Sequence, residues 1–318
     1  MKVGKEPDKR LLEAGTLWES LTARTARAQS IGALQPIPTS FEFVEENGVR
    51  FLVRVLSNLA RKDEERWRRE REAGVGREVN PFLPCEEDLL VGDLTDTHRC
   101  VLNKFNVVEH HLLIVTRLFE EQDDYLTGRD FSAMLAGLAE YESLSFYNGG
   151  VIAGASQRHK HLQLVPLPLS AEGPGVPIDP VIGKVLCEGK IGTSPAFPFV
   201  HAVAPMNPRW VRLPGSSGEE MLRAFHLMLK AVGMERGEAP QSERQTGPYN
   251  FLATREWMLL VPRSEEFFDG TSVNSLGFAG ALLVRSREEM ERLKASGPMT
   301  VLRSVALSRP PVGEGGRP

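Results

Sequence analysis

Three cysteines in 318 residues, at positions 85, 100 and 187, are too few and too widely spaced for a disulfide framework, and no CxxC pair opens a zinc site. Free thiols in a reducing compartment are the expectation. Long apolar runs are missing too: nothing approaches the ~20 residues of a membrane span. The start MKVGKEPDKRLLEAG has no apolar signal core. A cytoplasmic protein without a membrane partner is expected. An excess of cationic charge is also lacking. The formal net charge of −4 argues against a general nucleic-acid binder, while leaving room for a local pocket that receives a small polyanion. What is present is ordinary: 41% hydrophobic and 25% charged residues, enough for a sizeable core in two subdomains.

Turn-forming clusters punctuate the chain at QPIPTS near Pro36, NPFLPCEED from Asn80, SAEGPGVPIDP from Ser170 and GEAPQSERQTGP from Gly237. Between them, FEFVEENGVRFLVRVLSN predicts two strands joined through Glu45 to Gly48, since Asn-Gly is a strong hairpin signal. HRCVLNKFNVV and HHLLIVTRLF predict a second pair, with a tight turn near Glu109. RKDEERWRREREAG mixes both charge signs as a solvated face does, and Lys62 is its one candidate phosphate contact. In GRDFSAMLAGLAEYESLSF, Phe131, Met134, Leu135, Leu138 and Tyr141 keep a helical spacing. The closing SRPPVGEGGRP predicts a disordered tail.

The informative stretch is GGVIAGASQRHKHLQLVPLP, from Gly149 to Pro168. HKHLQLVPL has the length and alternation of a strand ended by proline. Alternation puts His159, His161 and Gln163 on one face and Lys160, Leu162 and Leu164 on the other. A turn at Gly154, Ala155 and Ser156 can aim backbone N–H groups and a hydroxyl at an anion above the first face. The pattern points to a phosphate beside a histidine. Three rivals stand against it. The two histidines could hold a metal, but no Cys or carboxylate ligand lies at close spacing. They could be structural, although a glutamine on the same face opposite a Gly-Ala-Ser turn makes that coincidence less natural. A histidine could activate Ser156, but no orienting carboxylate lies nearby.

HKHLQLV resembles the histidine-triad signature in its transferase form, His-x-His-x-Gln. With NPFLP, LNKFNVV, HLLIVTR, NGGVIAGASQRHKHLQLVP and NSLGFAG, in that order from Asn80 to Gly280, the chain resembles the diadenosine tetraphosphate (Ap4A) phosphorylase family, also called ATP adenylyltransferase. The resemblance implies an α+β fold of two histidine-triad-like halves with antiparallel sheets flanked by helices. The catalytic half would span residues 1–170, a degenerate half residues 171–305, and a flexible tail residues 306–318. His161 matches the nucleophile, Gln163 the residue that hydrogen-bonds the phosphoryl oxygens, and His159 a supporting member of the same catalytic group. Asn148 and the loop Gly154, Ala155, Ser156 and Gln157 match the phosphate-binding segment. Asn103, eight positions before His111, matches a ribose-binding asparagine, with Lys104 a phosphate candidate. Asn274, Ser275 and Gly277 of NSLGFAG would lie near the nucleotide. Relatives in the uridylyltransferase branch use a residue like His159 for a structural zinc, but the partner cysteines are missing here, so no metal is assigned.

The glutamine has its own rationale. A departing nucleotide polyphosphate is a weak base and needs no protonation, so a neutral amide that orients the phosphoryl oxygens suffices. The implied reaction is Ap4A + phosphate ⇌ ATP + ADP through an adenylylated His161. Alternatives are a related nucleotidyltransferase with another acceptor, such as sulfate, or another base, and a nucleotide sensor without turnover. The implied partners are nucleotides (Ap4A, ATP, ADP) and phosphate. No tightly bound cofactor is expected, and Mg²⁺ enters as the polyphosphate chelate. An internal echo supports the two halves: after a helix, YNGGVIAGASQRHKHLQLVP and YNFLATREWMLLVP both run Tyr-Asn to Leu-Val-Pro. Aligned on that ending, Trp257 replaces His161 and Leu259 replaces Gln163. A single chain would then suffice as a monomer.

Overall fold

Asn47 (φ 51°) and Gly48 (φ 80°) both take the left-handed backbone that a two-residue hairpin turn requires, so the chain reverses where Asn-Gly predicted it. The resulting hairpin pairs β1 (Thr39–Glu46) with β2 (Val49–Leu56). The computed structural model describes residues 10–57, 80–235 and 244–309. Lys62 and the charged segment around it lie outside the described residues, as do residues 310–318.

The N-terminal helix α1 (Leu17–Ser30) precedes the hairpin, and the strands β3 (Leu90–Asp93), β4 (His98–Leu102) and β5 (Leu112–Thr116) follow it. The antiparallel pairing of β4 with β5 is as expected, but nine residues, 103–111, connect them in place of a tight turn. Helix α2 (Gly128–Glu140) starts at a capping box: Asp130 N–H reaches Thr127 Oγ1, and Thr127 N–H reaches Asp130 Oδ2 at 2.7 Å. It buries Phe131, Met134, Leu135 and Leu138 and stops before Tyr141, shorter than the apolar pattern suggested. The chain continues with β6 (Ser143–Gly149), β7 (His161–Pro166) and α3 (Asp179–Leu186). Next come β8 (Ala202–Pro205), α4 (Pro208–Arg212), α5 (Pro214–Ala231), β9 (Tyr249–Ala253) and β10 (Trp257–Pro262). A small hairpin of β11 (Phe267–Phe268) and β12 (Thr271–Ser272) leads to α6 (Ser275–Phe278), β13 (Ala281–Val284), α7 (Arg287–Ser296) and α8 (Pro298–Val305).

Eight strands form one antiparallel sheet in the order β3-β4-β5-β7-β6-β9-β10-β8. The unit β5-α2-β6-β7 recurs as β8-α5-β9-β10, and the two units meet at β6 and β9, where Asn148 lies directly opposite Asn250. The repeat is thus real in topology. Its residue alignment differs from the sequence echo. Pro166 faces Ser143, but Pro262 faces Tyr249, so if the prolines correspond, Tyr249 takes the place of Ser143 and not of Tyr147. Three residues, 254–256, close the second hairpin where a loop of eleven, 150–160, opens the first. No single register therefore equates Trp257 with His161 while keeping both Tyr-Asn pairs aligned.

One sheet face is covered by α1, α2 and α5, whose buried side chains form a core with Leu162, Leu164, Phe251 and Leu260. Helices α2 and α5 cross at a glycine: a Cβ on Gly218 would stand 2.1 Å from the Gly128 carbonyl oxygen. The other face is covered by a second sheet, β1-β2-β13, with α3, α7 and α8. There β13 pairs parallel to β2, the one departure from the expected antiparallel pattern among the named strands of the described residues. The tail is pinned through Arg309, since Leu307 N–H donates to Pro262 O at 3.0 Å and Arg309 Nε to Phe199 O at 3.1 Å. Among the described residues, no helix is long and apolar enough to cross a membrane.

Candidate active site

Strand β7 begins at His161, at the point where β6 and β7 part company. Paired residues run from Ser143–Pro166 to Phe146–Gln163, and beyond them the strands diverge. The buried side chain of Gln122 fills the gap. Its Oε1 accepts the His161 N–H at 2.8 Å, and its Nε2 donates to the carbonyls of Asn148 (2.9 Å) and His161 (3.2 Å). One amide thus satisfies three main-chain groups that the opened ladder would leave unpaired. The strand alternation puts His161, Gln163, Phe146 and Asn148 on one face of the sheet.

His161 Nδ1–H donates to the His159 carbonyl oxygen at 2.8 Å, which fixes the tautomer and leaves a lone pair on Nε2. Among the described residues Nε2 has no hydrogen-bond partner. Burial pushes the His161 pKa down to about 4, against the opposing carbonyl contact, so the imidazole is neutral at pH 7. The His159 tautomer follows the same way. Asn80 Oδ1 accepts Phe82 N–H at 2.9 Å, so Asn80 Nδ2 donates to His159 Nδ1 at 3.0 Å, and His159 Nε2–H points to the Thr116 carbonyl at 2.8 Å. Both of its nitrogens are committed to the scaffold. His159 lies ahead of β7, in an isolated bridge with Glu121, and Phe82 packs its ring against His159 and His161 alike, at 5.6 Å.

Two amides have their oxygens held by protein donors. Asn103 Nδ2 donates to His111 Nδ1 at 3.1 Å, so His111 Nε2–H donates to Gln163 Oε1 at 2.9 Å. Burial also depresses the His111 pKa to about 4, which keeps this relay neutral. Asn148 Oδ1 accepts from Ser275 N–H at 3.0 Å and from Asn250 Nδ2 at 2.9 Å. Each arrangement leaves an NH₂ group, Gln163 Nε2 and Asn148 Nδ2, without an acceptor among the described residues. A neutral imidazole lone pair sharing a face with two oriented amide donors is suited to attack a phosphorus while the amides hold its non-bridging oxygens.

The glycine loop supplies less backbone than the sequence suggested. Gly150 and Gly154 take positive φ (89° and 88°), but Gly154 N–H donates to Val151 O and Ala155 N–H to Gly150 O, closing the turn. Between Ala155 and Arg158, the N–H groups of Ser156 and Gln157 have no recorded main-chain acceptor, and Ser156 is exposed. Asn274 presses against Gly154, whose added Cβ would stand 2.8 Å from Asn274 Cβ. Its Oδ1 caps α6 through Leu276 N–H. Ser275 is fully buried and reaches Asn148, while Gly277 is packed against Val273 and Leu282. These two sit behind the loop. Lys104 Nζ is paired with Glu86 at 2.8 Å. Asn103, expected at a ribose, spends its Nδ2 on His111.

Sequence reasoning missed Gln122, His111, Asn250 and Arg263. Arg263 is 2% exposed, with Nη1 donating to Asn250 Oδ1 at 2.6 Å and to Val273 O at 2.8 Å; burial lowers its pKa to about 10. Behind the sheet, buried Lys160 donates to Glu120 at 2.7 Å and to the Tyr125 carbonyl at 3.1 Å, and stands 3.8 Å from Asp130, itself bonded to His98. The residue preceding His161 is thus anchored to the start of α2.

Residues 7–184 match the model of the Ap4A phosphorylase N-terminal domain, and residues 195–308 that of the ATP adenylyltransferase C-terminal domain. The chain is 32% identical over 246 residues to diadenosine 5',5'''-P1,P4-tetraphosphate phosphorylase 2 of Saccharomyces cerevisiae, covering 67% of this chain and 71% of that one. It is similar in fold to the crystal structure of yeast Ap4A phosphorylase Apa2, with a TM-score of 0.73 at 24% identity over 94% of this chain and 96% of that one. Against the same enzyme in complex with Ap4A the TM-score is 0.69, over 92% and 97% of the two chains.

Proposed function

The chain belongs to the Ap4A phosphorylase family, and from that premise we propose that it converts Ap4A and phosphate reversibly into ATP and ADP through an adenylyl group carried on His161 Nε2. The observation that carries the mechanism is the neutral, unpartnered Nε2 on the same sheet face as the NH₂ groups of Gln163 and Asn148. Nε2 attacks the phosphorus of one AMP unit, the bond to the next phosphate breaks, and ATP departs with the electron pair. The charge that develops on the imidazolium is stabilised by the His159 carbonyl at Nδ1–H, and the two amides hold the non-bridging oxygens. Inorganic phosphate then attacks the adenylyl group from the open side, releasing ADP and restoring the lone pair. The exposed Ser156 and the free N–H groups of Ser156 and Gln157 are the candidates to hold that acceptor against competing water. Mg²⁺ accompanies the polyphosphate as its chelate, and one chain in the cytoplasm is the working unit.

Enzyme mixed with Ap4A and no phosphate should gain the mass of one adenylyl group on the peptide containing residues 159–163, through an acid-labile bond. An adduct that persists in His161→Ala would remove the assignment.

A further inference from the structure

Asn148 can serve the phosphoryl group only if its amide is turned with Nδ2 outward, and no contact on its Oδ1 from the described residues of the N-terminal half fixes that turn. Every recorded contact on its Oδ1 comes from the C-terminal half: Ser275 N–H at 3.0 Å, Ser275 Oγ at 2.7 Å and Asn250 Nδ2 at 2.9 Å. Asn250 must itself be turned to donate. Arg263 Nη1 settles this by donating to Asn250 Oδ1 at 2.6 Å, a contact that a flipped amide would replace with donor facing donor. So oriented, Asn250 Nδ2 also holds the Ala153 carbonyl at 2.8 Å, one residue before Gly154. Asn148, Asn250 and Ser275 are all at most 2% exposed, as is Arg263.

We infer that Asn250, pinned by Arg263, is a positioning residue for adenylyl transfer: with Ser275 it sets the rotation of Asn148 so that an NH₂ group, and not an oxygen, meets the phosphoryl group. The half without the nucleophile thereby tunes the half that has it. The inference rests on the proposed phosphorolysis of Ap4A.

Asn250→Asp tests it. The substitution is nearly isosteric and gives Arg263 a carboxylate partner, but it removes the donor facing Asn148 Oδ1 and Ala153 O. The new carboxylate then competes with Ser275 N–H for the Asn148 amide, drawing its NH₂ inward and an oxygen toward the phosphoryl group. The expected kcat loss is about 10²-fold, the scale of one displaced oxyanion donor. Thermal melting should move by less than about 5 °C, because the new ion pair offsets the lost donors. A readout beyond stability is the rate ratio for the Rp,Rp and Sp,Sp diastereomers of Ap4A carrying sulfur at a non-bridging position of each adenosine-linked phosphate. Wild type should discriminate between them, and the variant should change the ratio at least tenfold, whereas loosened packing would slow both alike. Should the aspartate variant not accumulate as folded protein, Asn250→Ala carries the same ratio test. An unchanged ratio in an active wild-type background overturns the inference alone. A wild-type enzyme that forms no ATP and ADP from Ap4A overturns the functional reading, and this inference with it.

Discussion

Gln163→Glu changes one atom, and the structure states where that atom goes. Because His111 Nε2–H donates to Gln163 Oε1 at 2.9 Å, a glutamate keeps this oxygen on His111 and puts its second oxygen where Nε2 stood, toward the phosphoryl group. Two costs follow. Loss of a donor to the developing negative charge is worth about 3 kcal/mol. Repulsion between the new carboxylate and the phosphoryl oxygens adds about 4 kcal/mol for unit charges 4 Å apart at an effective dielectric of 20, and less where water intrudes. A total of about 4–7 kcal/mol corresponds to a loss of 10³–10⁵-fold in the rate of adenylyl-His161 formation, measured in single turnover at pH 8 without phosphate. The pH dependence is the sharper signature. Wild-type adenylylation should stay flat from pH 8 to pH 5, since His161 takes up a proton only near pH 4. The variant should recover on acidification, as a neutral carboxyl can donate where the carboxylate repels. A variant within tenfold of wild type at pH 8, or one without acid recovery, would refute the orientation of this amide.

Three further expectations follow from the same geometry. Gln163→His installs a general acid–base group beside the intermediate, so the AMP:ADP ratio released from Ap4A at fixed phosphate should rise; an unchanged ratio in an active variant places acceptor choice in the glycine loop or the C-terminal half. His159→Asn should cost about 1–3 kcal/mol of stability from the orphaned Thr116 carbonyl and Asn80 amide, but far less turnover than His161→Ala; equal losses of turnover would show that His159 takes part in the chemistry. His111, His161 and His201 are buried with pKa values pushed down to about 4, below the unfolded value near 6.5. The unfolded chain therefore binds protons first. Stability is full above pH 6.5 and is lost as pH falls toward 4, by about 2 kcal/mol per histidine at pH 5. Urea midpoints that coincide at pH 7.5 and pH 5 would contradict the depressed values.

The parts of the site that share one strand were readable, because alternation is local: HKHLQLV puts His161 and Gln163 on one face and Lys160 on the other without any knowledge of the fold. The Asn-Gly hairpin was readable for the same reason. What escaped is what the fold brings together from afar. Gln163 and its orienting His111 are separated by 52 residues, and Asn148 and Asn250 by 102. Gln122 carries no pattern at all, since its importance comes from an opening between two strands that only the register of β6 and β7 reveals. The internal echo was readable at its Leu-Val-Pro ending, but the two hairpins close with loops of different length, so the Tyr-Asn pairs do not keep the register of that ending.

The seam between β6 and β9 sets two identical side chains face to face, Asn148 and Asn250. A single hydrogen bond between two amides has a direction, so a perfectly symmetric pair of subunits could not assign giver and receiver at such a contact and would have to share both versions over time. Here one gene writes both sides, and only one of them has Arg263 on its oxygen. Joining the copies in one polypeptide allows a mutation to be made once and not twice, so a cation can break the tie permanently and the seam can have a polarity that symmetry would forbid.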